Sequence, residues 1–290
     1  MRLSVRSLLL SSAGCAVLFT ALLVGAYHTA DGRWLDNAAL SGFLSALEPT
    51  WSREANAVAR LCDPAPFALI TIALVGVGVV RRVPRRAAAA AVVLLGSAAS
   101  SQILKPLLAK ARFDGSIVEF GPLHTDPIAA PAFPSGHATA AMAIALAAVI
   151  VAPRALRPLV ATAGALFALL VGFLIVALGW HFPSDIVGGY LVATAWCLVA
   201  LAALRAADAR WPEPGTIRAA ARTSAPRLRE TLGPIAALTG ALALGVGLAR
   251  LDRLTAFAEA HTTTTLAAIA MTVSAAALVT AVSLVDDRSR

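Results

Sequence analysis

Charge is scarce in this 290-residue chain: Asp, Glu, Lys and Arg make up 14% of it, against 59% hydrophobic residues and a mean hydropathy of +0.78. That excludes an ordinary water-soluble domain and makes the bilayer the natural solvent. Lysine is scarcer still, with Lys105 and Lys110 the only two among 24 basic residues. A net charge of +8 would suggest nucleic acid if the basic residues shared a soluble face. They instead punctuate apolar runs, which reads as membrane orientation and predicts no nucleic-acid partner. Three cysteines are an odd number, with Cys15 and Cys197 inside apolar runs and Cys62 in a loop. No disulfide framework or metal-spaced pair is available, and the three read as small packing residues.

Eight apolar runs approach spanning length: Leu8 to Tyr27, Pro66 to Val80, Ala87 to Leu108, Ala138 to Ala152, Leu159 to Gly179, Ile186 to Leu204, Pro234 to Ala249 and Thr264 to Val285. One set of alternate connections, with the two termini, carries sixteen Lys and Arg residues and the other set eight. The excess belongs in the cytoplasm, so both termini are expected there. The first run is longer than a usual signal core and reads as an anchor. Cys15 sits too early in that run for a lipoprotein site. Between the first two runs, Trp34, Leu35, Leu40, Phe43, Leu44, Leu47 and Trp51 recur at near-helical spacing. This predicts a helix lying in the interface, there to shape lateral access for a lipid or simply to anchor the fold. The Arg- and Pro-rich segment 205–233 reads as a cytoplasmic linker. The expected architecture is all-α: a polytopic bundle with a six-helix core (1–204), that linker, and a C-terminal transmembrane hairpin (234–290). In the seventh run, Ala241 four before Gly245 and Ala243 four before Gly247 permit close helix packing. Packing within one subunit and a homo-oligomer both stay open.

Three connections on the outer side hold the polar residues that suggest chemistry. Lys105 and Arg112 are seven apart, two turns along one face if the helix continues, so both cations would converge on one anion. Alone, the pair would read as snorkelling interface cations. Pro134-Ser135-Gly136-His137 opens the fourth run. Ser135 is placed to cap that helix, Gly136 to let backbone approach a ligand, and His137 to donate a proton to a departing oxygen. His181 and Asp185 are four apart. The carboxylate can hold one ring nitrogen and leave the other as a nucleophile toward phosphorus.

The order Lys-x6-Arg, Pro-Ser-Gly-His, His-x3-Asp resembles the type 2 phosphatidic acid phosphatase family, related to vanadium haloperoxidases; the likeness covers about Ala87 to Leu204. It implies that Lys105 and Arg112 bind phosphate, with Ser135 and Gly136 completing the cradle. It implies further that His137 protonates the leaving group, His181 forms a phosphohistidine and Asp185 orients it. Two positions depart from the pattern. Phe113 stands where the family usually has Pro, and Leu174 and Ile175 stand where it has Ser-Arg. Loss of one preorganised donor typically slows such chemistry about a hundredfold to a thousandfold; Lys110 and His124 are candidate substitutes. The expected function is a lipid phosphate or lipid pyrophosphate phosphatase with an extracytoplasmic site, needing no metal or other cofactor, its partners a lipid phosphate substrate and the bilayer. A phosphotransferase and, because of Ile175, a weakly active or non-catalytic lipid-phosphate binder are the alternatives. Haloperoxidase activity fits least.

Overall fold

The computed structural model describes residues 4–118, 128–211 and 251–287. Its helices are α1 (Val5–His28), α2 (Ala30–Ala46), α3 (Ser52–Ala59), α4 (Pro64–Val80), α5 (Pro84–Leu107), α6 (Gly136–Val151), α7 (Arg157–Ala177), α8 (Pro183–Arg210), α9 (Leu251–Ala260) and α10 (Thr262–Asp287), and no strand occurs among the described residues. The expected spans appear in place, except that Pro234–Ala249, with its small-residue pairs, and most of the linker lie outside the described residues. Helices α1, α5, α7 with its preceding turn, α8 and α10 are long and apolar enough to cross a membrane, and α3 with α4 makes a further span bent by 54°. The chain is a multi-pass membrane protein.

Helix α8 is the axis of the bundle, packed against α1, α5 and α6, with 72% of its apolar window buried. Helix α6 has 16 residues. At about 1.5 Å per residue it is shorter than the hydrocarbon core, and it is enclosed by α5, α7 and α8. Its C-terminal carbonyls accept from Arg81 (to Val151) and from Arg86 (to Ile150, 2.9 Å), and Arg157 Nε reaches the Ala152 carbonyl at 3.4 Å. Cations at the negative end of the helix thus fix its lower terminus. Helix α10 joins the same core: Met271, Ala275, Val279 and Val282 are buried with residues of α7 and α8.

Helix α2 occupies the expected helical segment and packs one face on the bundle. Trp34 and Leu35 are exposed, but Asp36, Asn37, Ala39, Leu40, Gly42, Phe43 and Leu44 are buried against the bundle. Thr264 Oγ1 of α10 donates to the Ala39 carbonyl at 3.0 Å. Thr29 both ends α1 and caps α2, accepting from Gly32 N at 3.0 Å. That sharp corner turns α2 against α1, α7, α8 and α10. A side chain at position 32 would strike the Gly25 carbonyl, so the corner requires glycine.

Two further glycines bring the Pro-Ser-Gly-His segment onto α8. The Phe133 ring lies against Gly188, and the Ser135 carbonyl against Gly189. Ser135 N donates to the Asp185 carbonyl at 3.0 Å, so the start of α6 is tied to the first turn of α8. A methyl at position 189 would sit 2.9 Å from both the Ser135 carbonyl oxygen and Thr139 N, with no flexible group to yield. Gly189→Ala should therefore lower stability by about 1–3 kcal/mol, as overpacking does. It is measured as a fall in the thermal midpoint in detergent; an unchanged midpoint would mean that the two helices are not in fixed contact here.

Candidate active site

At the end of the bundle opposite the arginine turns, Ser135 caps α6, its Oγ accepting from Ala138 N at 3.3 Å while its carbonyl accepts from Thr139 Oγ1 at 2.7 Å. A methyl on Gly136 would lie 3.2 Å from Lys105 Nζ. The ammonium therefore rests over the first turn of α6, half-buried and with no hydrogen-bond partner among the described residues. Ser101, one turn below on α5, keeps its Oγ buried and unpartnered among the described residues, 3.6 Å from the same point. An ammonium, free amides of a helix N-terminus and an unsatisfied hydroxyl make an anion seat. Ser101 escapes a reading of spacing because it is a single serine in an alanine- and serine-rich stretch.

The two histidines each meet a carboxylate. His181 Nδ1 lies 3.3 Å from Asp185 Oδ2, leaving Nε2 without a partner among the described residues. Asp185 is wholly buried at the third position of α8, where its Oδ2 also accepts from Phe182 N at 2.9 Å. Position and tautomer of the ring are thereby set, with Nε2 free for attack. His137 Nε2 lies 2.9 Å from Asp63 Oδ1, and its ring packs 5.4 Å from that of Trp180. Asp63 stands at the bend between α3 and α4, 74 residues away in sequence, so spacing carries no trace of it.

Arg112 is placed differently from the expectation. Helix α5 ends at Leu107, one residue after Pro106, so the two cations do not share a helical face. The Arg112 guanidinium is buried, held by Asp36 and by Asp185 Oδ1, and NH1 also reaches Ser184 Oγ at 3.1 Å. It lies between the rings of Tyr27 (3.9 Å) and Phe182 (4.3 Å). Burial pushes the Asp36 carboxyl up and Arg112 opposes it.

Of the two candidate substitutes for the absent arginine, Lys110 donates to the Tyr27 carbonyl at 3.1 Å, closing the C-terminus of α1, and His124 lies outside the described residues. Ile175 is fully buried in the apolar core, and its neighbour on the same face, Gly172, abuts Ile186, Tyr190 and Met271. A cavity of about 540 Å³ opens between α2 and the segment 111–117, lined by Arg33, Trp34, Asn37, Phe113 and Asp114. Arg112 also lines it, but neither Lys105 nor either histidine does.

Residues 86–208 match the family model of the PAP2 superfamily, and this segment holds Lys105, Arg112, Ser135, Gly136, His137, His181 and Asp185. The fold resembles the crystal structure of a transmembrane PAP2-type phosphatidylglycerolphosphate phosphatase from Bacillus subtilis, with a TM-score of 0.54 and 20% identity. The likeness covers 69% of this chain and 96% of that one. None of the curated proteins matches.

The core position of Ile175 gives a prediction about the departure from the family pattern. Ile175→Arg puts a guanidinium among apolar side chains, at a cost of up to about 3 kcal/mol at full depth. The variant should lose thermal stability without gaining turnover. A monodisperse variant with a raised rate of phosphate release would show that the apolar wall yields and that the seat lacked only this donor.

Proposed function

We propose that the chain is a membrane lipid phosphate or lipid pyrophosphate phosphatase working through a phosphohistidine on His181. One observation carries the reading: two histidines, each held by its own carboxylate, stand with a free ammonium over a helix N-terminus. A binding site alone needs no oriented nucleophile. The phosphatase that the fold resembles acts on a lipid phosphate, which supports the same substrate class.

Lys105, the amides of Gly136 and His137, and Ser101 receive the phosphoryl oxygens as their charge develops. His181 Nε2 forms the bond to phosphorus while the bond to the leaving oxygen breaks, and that oxygen takes a proton from His137. A water, deprotonated by the now neutral His137, then attacks phosphorus opposite His181. Inorganic phosphate leaves, and His181 recovers its lone pair. Each role is filled by a side chain, so the reaction is proposed to run without metal.

The site lies at the end away from Arg81, Arg82, Arg85, Arg86, Arg154 and Arg157, which the positive-inside rule places in the cytoplasm. The headgroup then enters from the outer leaflet while its tail stays among lipids. Ser184 is buried beneath Asp36, whereas Ser116 is exposed. All three native cysteines are buried. Ser116→Cys should react with an impermeant maleimide on intact cells and Arg82→Cys should not; the reverse pattern would invert the topology.

The decisive assay is phosphate release by purified protein from phosphatidate, phosphatidylglycerophosphate and polyprenyl pyrophosphate, with and without EDTA. Turnover should survive EDTA and vanish in His181→Ala. Lys105→Ala should weaken competition by inorganic phosphate at least tenfold. Release that persists in His181→Ala refutes the mechanism. Lipid phosphate bound tightly but never cleaved would instead establish the binder that Ile175 suggests, and transfer to an added alcohol would establish a phosphotransferase.

A further inference from the structure

We propose that Tyr27 is a further phosphate-binding residue: its hydroxyl, beside Arg112, donates to a phosphoryl oxygen and supplies a donor in place of the one absent at Ile175. The inference rests on the reading of this site as one that receives a lipid phosphate.

Tyr27 lies in the last turn of α1 and is 1% exposed, yet its hydroxyl has no hydrogen-bond partner among the described residues. A buried hydroxyl with nothing to bond is costly, and phenylalanine would avoid the cost. The rest of the residue is firmly held. Its carbonyl accepts from Arg33 NH1 at 3.2 Å and from Lys110 Nζ at 3.1 Å. Its ring meets that of Phe133 edge-on at 5.3 Å, and the Arg112 guanidinium lies 3.9 Å from the ring centroid. Lys110, a candidate to replace the absent arginine, thus serves to fix Tyr27.

The segments that hold the phenol are those that build the site. Phe133 leads directly into Pro134, Ser135 and Gly136, and Leu108, packed on the same small apolar cluster, lies three residues beyond Lys105. The charged groups that face Tyr27 are Asp185, Arg112 and Asp36. Neither carboxylate accepts from the hydroxyl: Asp185 is taken by Arg112, Phe182 N and His181, and Asp36 by Arg112 and Ser184. Of the five N–H groups of Arg112, three bond Asp36, Ser184 and Asp185, which leaves two to share an anion with Tyr27. The acceptor that would satisfy all of these donors is a phosphoryl oxygen. A phenol adds a donor without adding a charge that must itself be desolvated. The cation over its ring draws electron density from the phenol and strengthens the O–H as a donor.

The test compares wild type, Tyr27→Phe and Tyr190→Phe as full-length proteins in detergent. It reads the thermal midpoint, the affinity for orthophosphate by calorimetry, and kcat/KM on the lipid phosphate cleaved fastest. Tyr27→Phe removes one oxygen and keeps the ring, so the midpoint should hold or rise. Orthophosphate binding should weaken about 10- to 100-fold, the usual loss of a hydrogen bond to a charged group, and kcat/KM should fall at least as far. Tyr190→Phe cuts a satisfied bond to the Ala168 carbonyl, 2.7 Å long, and should do the reverse: a lower midpoint with phosphate affinity unchanged. Phosphate affinity and kcat/KM within about twofold of wild type in Tyr27→Phe overturn the proposal. A midpoint lowered as in Tyr190→Phe also overturns it, since the hydroxyl would then bond within the protein. Turnover that vanishes in His181→Ala but is untouched by Tyr27→Phe brings down the role of Tyr27 alone. Phosphate binding weakened by Tyr27→Phe in a protein that cleaves no lipid phosphate sustains that role and brings down the phosphatase reading instead.

Discussion

A guanidinium buried with two carboxylates imposes strict geometry on everything around it. Removing charges from water is expensive, and the attraction between them offsets that cost only when each finds its partners. Arg112, Asp36 and Asp185 come from the loop after α5, from α2 and from α8. None of the three segments can shift without leaving a buried charge unpaired. Ser184, Asn37 and Phe182 N satisfy remaining lone pairs of the carboxylates and the backbone beside them, which is what makes a buried pair of this kind tolerable.

The seat around Gly136 follows from that constraint. Asp185 holds Ser135 N through its carbonyl, so the segment that caps α6 is registered on the same turn of α8 that presents His181. The lower end of α6 is pinned by Arg81, Arg86 and Arg157. With both ends held, the free amides of a short helix are delivered beneath Lys105. The candidate site is thus held in place by contacts that lie around it.

Much of this was legible in sequence, and the remainder fails for identifiable reasons. His181 with Asp185, and Ser135 with His137, are local pairs whose spacing alone brings them together. Asp36 and Asp63 are not, since each meets its partner across more than 70 residues and belongs to a segment with another apparent purpose. Trp34, Leu35 and Trp51 are exposed and are what a reading of the sequence notices first, while the buried face of α2 carries Asp36 and Asn37. Arg112 was placed on the face of Lys105 by assuming a continuous helix. The chain leaves the helix just after Pro106, and its arginine turns to the carboxylates instead.

Ile175 takes on a different meaning in this setting. An arginine at that position would add a third cation near the site, balanced against Asp36, Asp63 and Asp185. Here the position is closed into the core by the packing of α7 on α8 and α10, and Arg112 is already committed to two carboxylates. On the phosphatase reading proposed above, Lys105 and the dipoles of α6 would then receive the phosphate. Dipoles and hydroxyls stabilise developing negative charge without binding a dianion so tightly in the ground state. A site built this way gives up affinity for inorganic phosphate more readily than it gives up transition-state stabilisation.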